Sequence, residues 1–360
     1  MTTGTRVAAL ALGILLLAAA ALSCTSFYIY AGDEAVVGKS FDWSVCDGLV
    51  VVNKRGIAKE ALVGDDNPAR WTSTYGSVTF NQYGREMPLG GINEAGLVVE
   101  VLWLKQAEYP APDERPALGC LQWVQYMLDT CATVEEVLAA REEVRVADDG
   151  TGRLHYFVAD AAGGCAVVEF VEGKAVISAG DDMPVRALAN STYDDSLSFL
   201  SMYEQKEGTP EDIAGDGSLE RFSRAAIAAT NFDPAFLDSA TTADYAAGVL
   251  DDVASPAESQ WRIVYDVNDR LVYYRTRENM ETRWLEADAF DYSPATPVTI
   301  FDMNAPGGGD VTEKFVDYTY EANRALIDAA FAGTEFLKEV PEEVREAMAR
   351  YPETTGAPEE

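Results

Sequence analysis

Histidine is almost absent from this sequence of 360 residues, which contains only His155. A metal site built from several histidines is therefore excluded. A Ser-His-Asp or Cys-His site would have to use this single residue. His155 lies in a strand-like run, so we expect it to be a structural or surface residue rather than a catalytic one.

Cysteine is also sparse, and no two cysteines form a CxxC pair, which argues against a structural zinc site. The five cysteines are Cys24, Cys46, Cys120, Cys131 and Cys165. Cys120 and Cys131 are predicted at opposite ends of one helix, about 16 Å apart along its axis, too far to bridge each other. We expect the four cysteines after Cys24 to be buried thiols with at most one disulfide.

Positive charge is scarce, because 27 Lys and Arg residues face 60 Asp and Glu residues, giving a formal net charge of −33. Such an acidic chain is poorly suited to bind nucleic acid or an anionic membrane surface. The excess is best explained as a solvated acidic surface, and the sequence predicts no nucleic-acid partner.

The first 23 residues differ from the rest. They contain one charge, Arg6, then an apolar run over Val7–Leu22 and a small-x-small ending at Ala21–Ser23. This pattern is typical of a secretory signal peptide, whereas a spanning helix needs about 20 apolar residues. We predict cleavage between Ser23 and Cys24 and a secreted or periplasmic protein.

A cysteine directly after a hydrophobic segment is also typical of bacterial lipoproteins. That signal usually has an aliphatic residue three positions before the cysteine, where this chain has Ala21. Lipidation would modify both the thiol and the amine of Cys24. It would leave a membrane-tethered protein that binds acylated ligands without catalysis, and this alternative stays open.

The remainder alternates short strands and helices without a repeat, a long linker or a break in composition, which favours one α+β domain over residues 24–340. An acidic tail is predicted over residues 341–360.

Strands are predicted at Thr25–Tyr30, Ala35–Phe41, Leu97–Leu104, Leu154–Ala159, Ala166–Val171, Ala175–Ile177, Trp261–Val267 and Arg270–Thr276. Helices are predicted at Leu118–Cys131, Thr133–Val144, Glu220–Thr230, Thr242–Val253 and Tyr318–Phe331. The Gly307–Gly309 run is predicted to be a loop.

Cleavage before Cys24 would place a thiol and a free α-amine on the same residue. The α-amine has a pKa of about 8, so part of it is neutral near pH 7 and can accept the thiol proton. Cysteine suits this role because a fraction is already thiolate at neutral pH, more so beside a cation.

Several motifs, in order along most of the mature chain, resemble the choloylglycine hydrolase and penicillin V acylase family. Its members are N-terminal-nucleophile hydrolases that act on linear C–N amides. The similar segments are Cys24–Ile29, Gly38–Trp43, Gly91–Leu97, Leu121–Asp129, Ala189–Tyr193, Glu220–Phe222 and Gln260–Trp261 with the strand pair that follows.

The resemblance implies a role for each site residue. Cys24 would attack the amide carbonyl while its own amine carries the proton to the leaving nitrogen. Asp42 would hold that amine by a charge-assisted hydrogen bond. The side chain of Asn190 and the backbone N–H of Trp103 would donate to the oxyanion, and Arg221 would complete the polar cluster. The Asn190-Ser-Thr glycosylation sequon is discounted for this reason.

Two residues depart from the family pattern. Lys39 stands where the family usually has arginine. The positive charge is kept, but lysine lacks the planar guanidinium that can donate two parallel hydrogen bonds to one partner. Trp103 stands where the best-known members have Asn or Tyr. Both departures indicate a divergent branch with an altered substrate pocket.

The fold implied by the resemblance is a four-layer αββα sandwich of two antiparallel sheets. The implied reaction is hydrolysis of an N-acyl amide through a thioester, without metal or organic cofactor. Penicillin V, conjugated bile salts and N-acyl homoserine lactones are candidate substrates, with specificity expected in loops at Tyr109–Arg115 and Tyr193–Glu204. An acyltransferase using the same thioester is the nearer alternative, and the non-catalytic lipoprotein tethered through Cys24 is the more distant one. Peptidase action on dipeptides is a third alternative, and homo-oligomerisation is left open.

Overall fold

The computed structural model describes residues 24–148, 150, 152–204, 213–237, 241–255 and 258–356. The predicted signal peptide, with its cleavage site and its lipoprotein alternative, lies outside the described residues except for Cys24 itself. No helix among the described residues is long and apolar enough to cross a bilayer.

Strands provide most of the regular structure. The first ten are β1 (Thr25–Ala31), β2 (Glu34–Asp42), β3 (Leu49–Asn53), β4 (Ala58–Glu60), β5 (Arg70–Thr72), β6 (Ser77–Asn81), β7 (Pro88–Asn93), β8 (Val98–Trp103), β9 (Ala117–Leu118) and β10 (Arg145–Val146). The others are β11 (Leu154–Ala159), β12 (Cys165–Val171), β13 (Lys174–Ala179), β14 (Ala187–Leu188), β15 (Ser259–Asp266), β16 (Leu271–Thr276), β17 (Arg283–Glu286), β18 (Thr299–Asp302), β19 (Gly309–Asp310) and β20 (Val316–Asp317).

The helices of the described residues fall between these strands and at the C-terminal end. They are α1 (Cys120–Thr130), α2 (Val134–Ala140), α3 (Tyr193–Glu204), α4 (Ser218–Thr230), α5 (Thr242–Val253), α6 (Tyr320–Gly333) and α7 (Glu342–Arg350).

Two large sheets form the centre of the molecule. One has seven strands in the order β14-β1-β2-β15-β16-β17-β19, and the other has nine in the order β13-β12-β11-β8-β7-β6-β3-β18-β20. The pairs are antiparallel apart from β17 with β19. Helix α1 packs on β7 and β8, while α4 and α5 pack on β1 and β2. The predicted four-layer αββα sandwich is therefore confirmed.

The inner strands are buried on both faces, which explains their sequence. All six residues of β8 and of β11 are buried except the half-buried Trp103. Because one face meets the opposite sheet and the other meets a helix, these strands are continuous apolar runs rather than alternating ones. Polar side chains inside such strands, including Glu100 and His155, must find partners within the core.

Most of the elements that local patterns predicted are present, although many short strands, such as β4, β5, β9 and β10, have no counterpart among the predictions. The N-terminal hairpin is present as β1 and β2, with seven residue pairs from Thr25↔Ser40 to Ala31↔Glu34. The predicted helix after Thr133 is present as α2, where the Thr133 side chain accepts from the Glu136 N–H, but it ends at Ala140 rather than Val144.

Two expectations need correction or qualification. The segment Tyr193–Glu204, predicted as a specificity loop, is helix α3. Its first turn contains Asp194 and Asp195, which favour a helix N-terminus.

The predicted acidic tail contains helix α7, which packs on α6, and Ala58 forms a bridge with Gly356. The described part of the tail is thus attached to the domain.

The cysteines are placed as the sequence predicted. Cys46, Cys120, Cys131 and Cys165 are buried, and none of the five cysteines of the described chain forms a disulfide.

Gly91 is a position where the fold requires glycine. A Cβ there would lie 2.4 Å from the Val78 carbonyl oxygen. We expect Gly91→Ala to lower the free energy of unfolding by about 1–3 kcal/mol, as overpacking does, measured by urea denaturation. Gly248→Ala in α5 is the matched control, because its Cβ meets nothing within 4 Å. It should stabilise by about 0.5–1 kcal/mol. Equal effects of the two changes would contradict this account.

Candidate active site

The start of β1 and the end of β2 bring Cys24 and Asp42 together. Because the hairpin pairs Thr25 with Ser40, the residue that precedes β1 lies beside the last residues of β2. Strand β15 begins on the other side, with Ser259 paired to Asp42. Three strand ends of one sheet thus form the floor of a site, with Cys24 at its edge.

Asp42 is fully buried and only partly satisfied. Its Oδ1 accepts a hydrogen bond from the Ser40 hydroxyl at 2.5 Å, whereas its Oδ2 has no hydrogen-bond partner among the described residues. Burial raises the pKa of Asp42, although the hydroxyls of Ser259 and Ser40 oppose the shift. A buried carboxylate oxygen without a donor is costly, so this position is suited to receive a cationic group.

Cys24 is 3% exposed, and its Sγ lies 3.9 Å from the Asp42 carbonyl oxygen. Burial raises the pKa of the Cys24 thiol, the charge of Lys39 lowers it, and Asp42 raises it again. The thiol therefore needs a neighbouring base in order to react at neutral pH.

Lys39 pairs with Ser26, two residues from Cys24, and its side chain connects the two sheets. Its Nζ donates to the Val101 carbonyl and lies 3.7 Å from Glu100 Oε2, both on β8. Glu100 also accepts a hydrogen bond from the Tyr265 hydroxyl at 2.5 Å. Lys39 is therefore held by partners in the core, and it acts on Cys24 through its charge rather than through a hydrogen bond.

Arg221 of α4 connects Cys24, the predicted nucleophile, to Asn190, the predicted oxyanion donor. Its Nη1 donates to the Cys24 carbonyl at 2.8 Å and to the Thr25 hydroxyl at 2.6 Å. Its Nη2 donates to Asn190 Oδ1 at 2.9 Å. Burial lowers the pKa of Arg221, and the charges of Asp42 and Cys24 oppose that shift.

Asn190 follows β14 and has a defined amide orientation. Because a guanidinium can only donate, the oxygen of the amide must face Arg221 and the nitrogen must face away. Nδ2 donates to the Trp103 carbonyl at 2.8 Å. The backbone N–H of Asn190 donates to the Ser218 hydroxyl at 2.8 Å, a support that no sequence motif had indicated.

Trp103 is the last residue of β8, and its backbone faces Asn190. Leu104 N–H donates to the Arg153 carbonyl, which makes these two residues a hydrogen-bonded pair of the antiparallel ladder. Because such pairs alternate with non-hydrogen-bonded ones, the next pair, Trp103 with Leu154, exchanges no hydrogen bond. The N–H and C=O of Trp103 both point away from β11 for this reason. The N–H lies on the strand edge where the carbonyl accepts from Asn190.

The sequence interpretation missed an aromatic cluster beside the site, formed by Trp43, Trp103 and Phe336. The ring centroids of Trp43 and Trp103 lie 5.9 Å apart, and those of Trp103 and Phe336 lie 6.0 Å apart. Trp43 and Phe336 meet edge to face at 6.3 Å. All three are partly buried. Trp43 directly follows Asp42, which is the one signal in the sequence that could have indicated it.

His155 does not approach the nucleophile. It is fully buried in β11, with Nδ1 2.9 Å from Glu169 Oε1 and Nε2 2.7 Å from the Ala189 carbonyl oxygen. The structural alternative for this residue is thus confirmed and the surface alternative is wrong. No group of three or more potential metal ligands occurs among the described residues.

The model of the choloylglycine hydrolase family of linear amide C–N hydrolases matches residues 24–240. The chain belongs to this family. The match begins at Cys24 and includes the six predicted site residues, which are Cys24, Lys39, Asp42, Trp103, Asn190 and Arg221. This member of the choloylglycine hydrolase family is therefore an amide C–N hydrolase.

Individual relatives agree with the family assignment. A penicillin V acylase of Pectobacterium atrosepticum is 27% identical over 318 residues, covering 77% of this chain and 84% of that protein. The structure of penicillin V acylase from Agrobacterium tumefaciens superposes with a TM-score of 0.71 at 27% identity, covering 82% of this chain and 98% of that one. A conjugated bile acid hydrolase from Clostridium perfringens shares the fold, with a TM-score of 0.65 at 18% identity, covering 77% and 96%.

Glu100 should make stability depend on pH. Burial raises its pKa to about 7, above the value of about 4.3 in an unfolded chain. The folded state therefore retains a proton that the unfolded state has lost, and stability decreases as the pH rises from about 4.3 through 7. The loss is on the order of 3 kcal/mol once Glu100 is ionised.

We expect Glu100→Gln to flatten this dependence, measured as the change in unfolding free energy between pH 5 and pH 8. The exposed Glu135→Gln in α2 should keep the wild-type dependence. An unchanged slope in Glu100→Gln would show that Glu100 does not titrate in this range.

Proposed function

We propose that the chain is exported and cleaved between Ser23 and Cys24, and that the mature enzyme hydrolyses N-acyl amides with an apolar or aromatic acyl group through a thioester on Cys24. The observation that carries this proposal is the buried Asp42 carboxylate. Its Oδ2 has no hydrogen-bond partner in the described part of the chain, and it lies beside the residue that cleavage would make N-terminal. The start of the family match at Cys24 supports it as well.

A free amine at Cys24 would supply both the missing partner of Asp42 and the base. An ammonium beside the carboxylate would lower the pKa of Asp42 and keep it ionised. The neutral amine, with a pKa of about 8 in isolation, accepts the proton of the Cys24 thiol. Asp42 orients this amine, in the way that a third group orients the base in other nucleophile–base pairs.

In the first step, the thiolate sulfur of Cys24 bonds to the amide carbonyl carbon and the carbonyl oxygen becomes an oxyanion. The second N–H of the Asn190 amide and the backbone N–H of Trp103 donate to that oxygen. The protonated amine then gives its proton to the leaving nitrogen as the C–N bond breaks. The products of this step are a free amine and a thioester.

Water completes the cycle. It loses a proton to the Cys24 amine and attacks the thioester carbonyl, which forms a second oxyanion held by the same donors. Release of the carboxylic acid regenerates the thiol, because the proton on the amine returns to sulfur. Each step uses only groups of the chain and water.

The aromatic cluster of Trp43, Trp103 and Phe336 supports the choice of acyl group. Trp103 contributes the backbone N–H proposed to hold the oxyanion, and its ring belongs to this cluster, so we expect an acyl chain on the reacting carbonyl to meet these rings. Two relatives at 27% identity are penicillin V acylases. We therefore place an aromatic acyl group, as in penicillin V, first among the substrates.

The first test is the N-terminus and the turnover of the purified protein. We expect intact mass and N-terminal sequencing to give a chain that starts at Cys24 with an unmodified amine. Wild type should release the acid and the amine from penicillin V, and Cys24→Ser should show no measurable turnover because a hydroxyl is a much weaker acid than a thiol. Ser44→Ala, which removes an exposed hydroxyl near the site, is the control.

The same assay separates the alternatives. Glycocholate and an N-acyl homoserine lactone are included in the panel, with an added primary amine as an acceptor for acyl transfer. Preferential formation of the amide of that amine over the free acid would indicate an acyltransferase. A diacylglyceryl-modified Cys24 would exclude the hydrolase mechanism and favour the tethered binding protein.

Phe336 should contribute to substrate binding rather than to chemistry. We expect Phe336→Ala to raise KM for penicillin V about 3–10-fold, because the loss of one aromatic contact weakens binding by about that factor. The value of kcat should change little. Phe315→Ala is the matched control, since Phe315 also contacts two rings, those of Phe290 and Phe301. A fall in kcat with constant KM would contradict a binding role for Phe336.

A further inference from the structure

The ring of His155 has one fixed proton. Nε2 lies 2.7 Å from the Ala189 carbonyl oxygen, which can only accept, so Nε2 carries a hydrogen and donates it. Nδ1 lies 2.9 Å from Glu169 Oε1. The imidazole is 0% exposed and the Glu169 residue 2% exposed, so neither group exchanges its partners for water.

Glu169 has a second contact in the same region. The backbone N–H of Tyr193 donates to its two carboxylate oxygens at 3.2 and 3.1 Å. Tyr193 is the first residue of α3, so this carboxylate caps a helix N-terminus, where negative charge is favoured. The His155–Glu169 pair thus holds the carbonyl of Ala189 and the amide of Tyr193.

These two backbone groups lie on either side of residues 190–192. Asn190, the predicted oxyanion donor, directly follows Ala189. His155 lies in β11 and Glu169 in β12, both strands of the nine-stranded sheet. Ala189, by contrast, follows β14 of the seven-stranded sheet. The segment that carries Asn190 is therefore fixed against the opposite sheet, the one that also supplies Trp103.

We propose that the His155–Glu169 pair is a positioning device for Asn190, which sets the place of its amide relative to the Trp103 N–H. This inference rests on the proposed function, since it assumes that Asn190 donates to an oxyanion. Arg221 and Trp103 fix the side chain of Asn190, and Ser218 binds its N–H. His155 and Glu169 fix the backbone to which that side chain is attached.

Two variants separate the contacts of the imidazole. Gln at position 155 can place an amide N–H near the position of Nε2 and donate to Ala189, whereas Asn reaches only the position of Nδ1, beside Glu169. Because a displacement of about 1 Å can cost about 100-fold in rate, we expect His155→Asn to lower kcat by roughly 10–100-fold. KM should stay within about twofold, and His155→Gln should recover most of the loss.

A double-mutant cycle distinguishes positioning from general stability. Asn190→Ala should lower kcat by about 100–1000-fold, as the loss of one oxyanion donor does. If His155 acts through Asn190, then His155→Asn should cause no further loss in the Asn190→Ala background. Independent, multiplicative losses would overturn the proposal, as would equal losses in His155→Gln and His155→Asn.

Two further measurements keep the proposal testable whatever the substrate is. Alkylation of Cys24 by iodoacetamide, followed by the mass of the N-terminal peptide, needs no oxyanion donor and should proceed at the wild-type rate in His155→Asn. Hydrogen–deuterium exchange of residues 187–196 should rise in His155→Asn. Unchanged exchange there would overturn the proposal, even if no tested amide is cleaved and the proposed function fails.

Asn323→Leu provides the matched control for these measurements. Asn323 is equally buried and also joins two backbone groups, since it accepts from the Arg85 N–H at 2.8 Å and donates to the Ala349 carbonyl at 3.1 Å. It lies in α6, without a contact to Asn190. This variant should lose stability without a change in kcat or in the exchange of residues 187–196, and the same kinetic loss in both variants would contradict a specific role of His155.

Discussion

The guanidinium of Arg221 is the group on which the geometry of the site depends. It is buried, and a buried cation is tolerated only where several acceptors surround it. One planar fork contacts the Cys24 carbonyl, the Thr25 hydroxyl and the Asn190 amide oxygen, and its Nε donates to the Asp216 carbonyl. Since a lysine has no such fork, helix α4 holds the start of β1 and the Asn190 segment at a fixed separation only with arginine at this position.

The electrostatic environment of Cys24, the proposed nucleophile, comes from two layers of residues. Close to the sulfur, burial opposes ionisation of Cys24 and the charge of Lys39 favours it. Deeper in the core, Lys39 is shared with Glu100, whose pKa burial raises to about 7. The lysine that replaces the usual arginine is thus part of an ion pair between the sheets. Its compact ammonium donates there to the Val101 carbonyl.

Local information in the sequence was sufficient for the hairpin, for helices α1, α2, α4, α5 and α6, and for the order of the motifs, since those depend on periodicity and on neighbouring residues. It was not sufficient for contacts between the sheets, because these depend on how two distant strands face each other. The contact of Lys39 with Glu100 and that of His155 with Ala189 are both of this kind. The meeting of Trp43 with Phe336 is another, since these residues are near opposite ends of the chain. Helix α3 is a different case, because Asp194 and Asp195 at its start are a local signal for a helix N-terminus, which the loop prediction does not use.

The position of Phe336 beyond the matched family region has an evolutionary consequence. Residues 24–240 contain all the residues to which the proposed reaction assigns a chemical role. Phe336, one member of the aromatic cluster, instead belongs to a short turn after α6. If Phe336 binds the acyl group as proposed, mutations in the C-terminal segment can alter which acyl groups are accepted while the proposed reacting groups stay unchanged. A lineage with this arrangement can adjust its substrate range without altering the segment that carries the proposed chemistry.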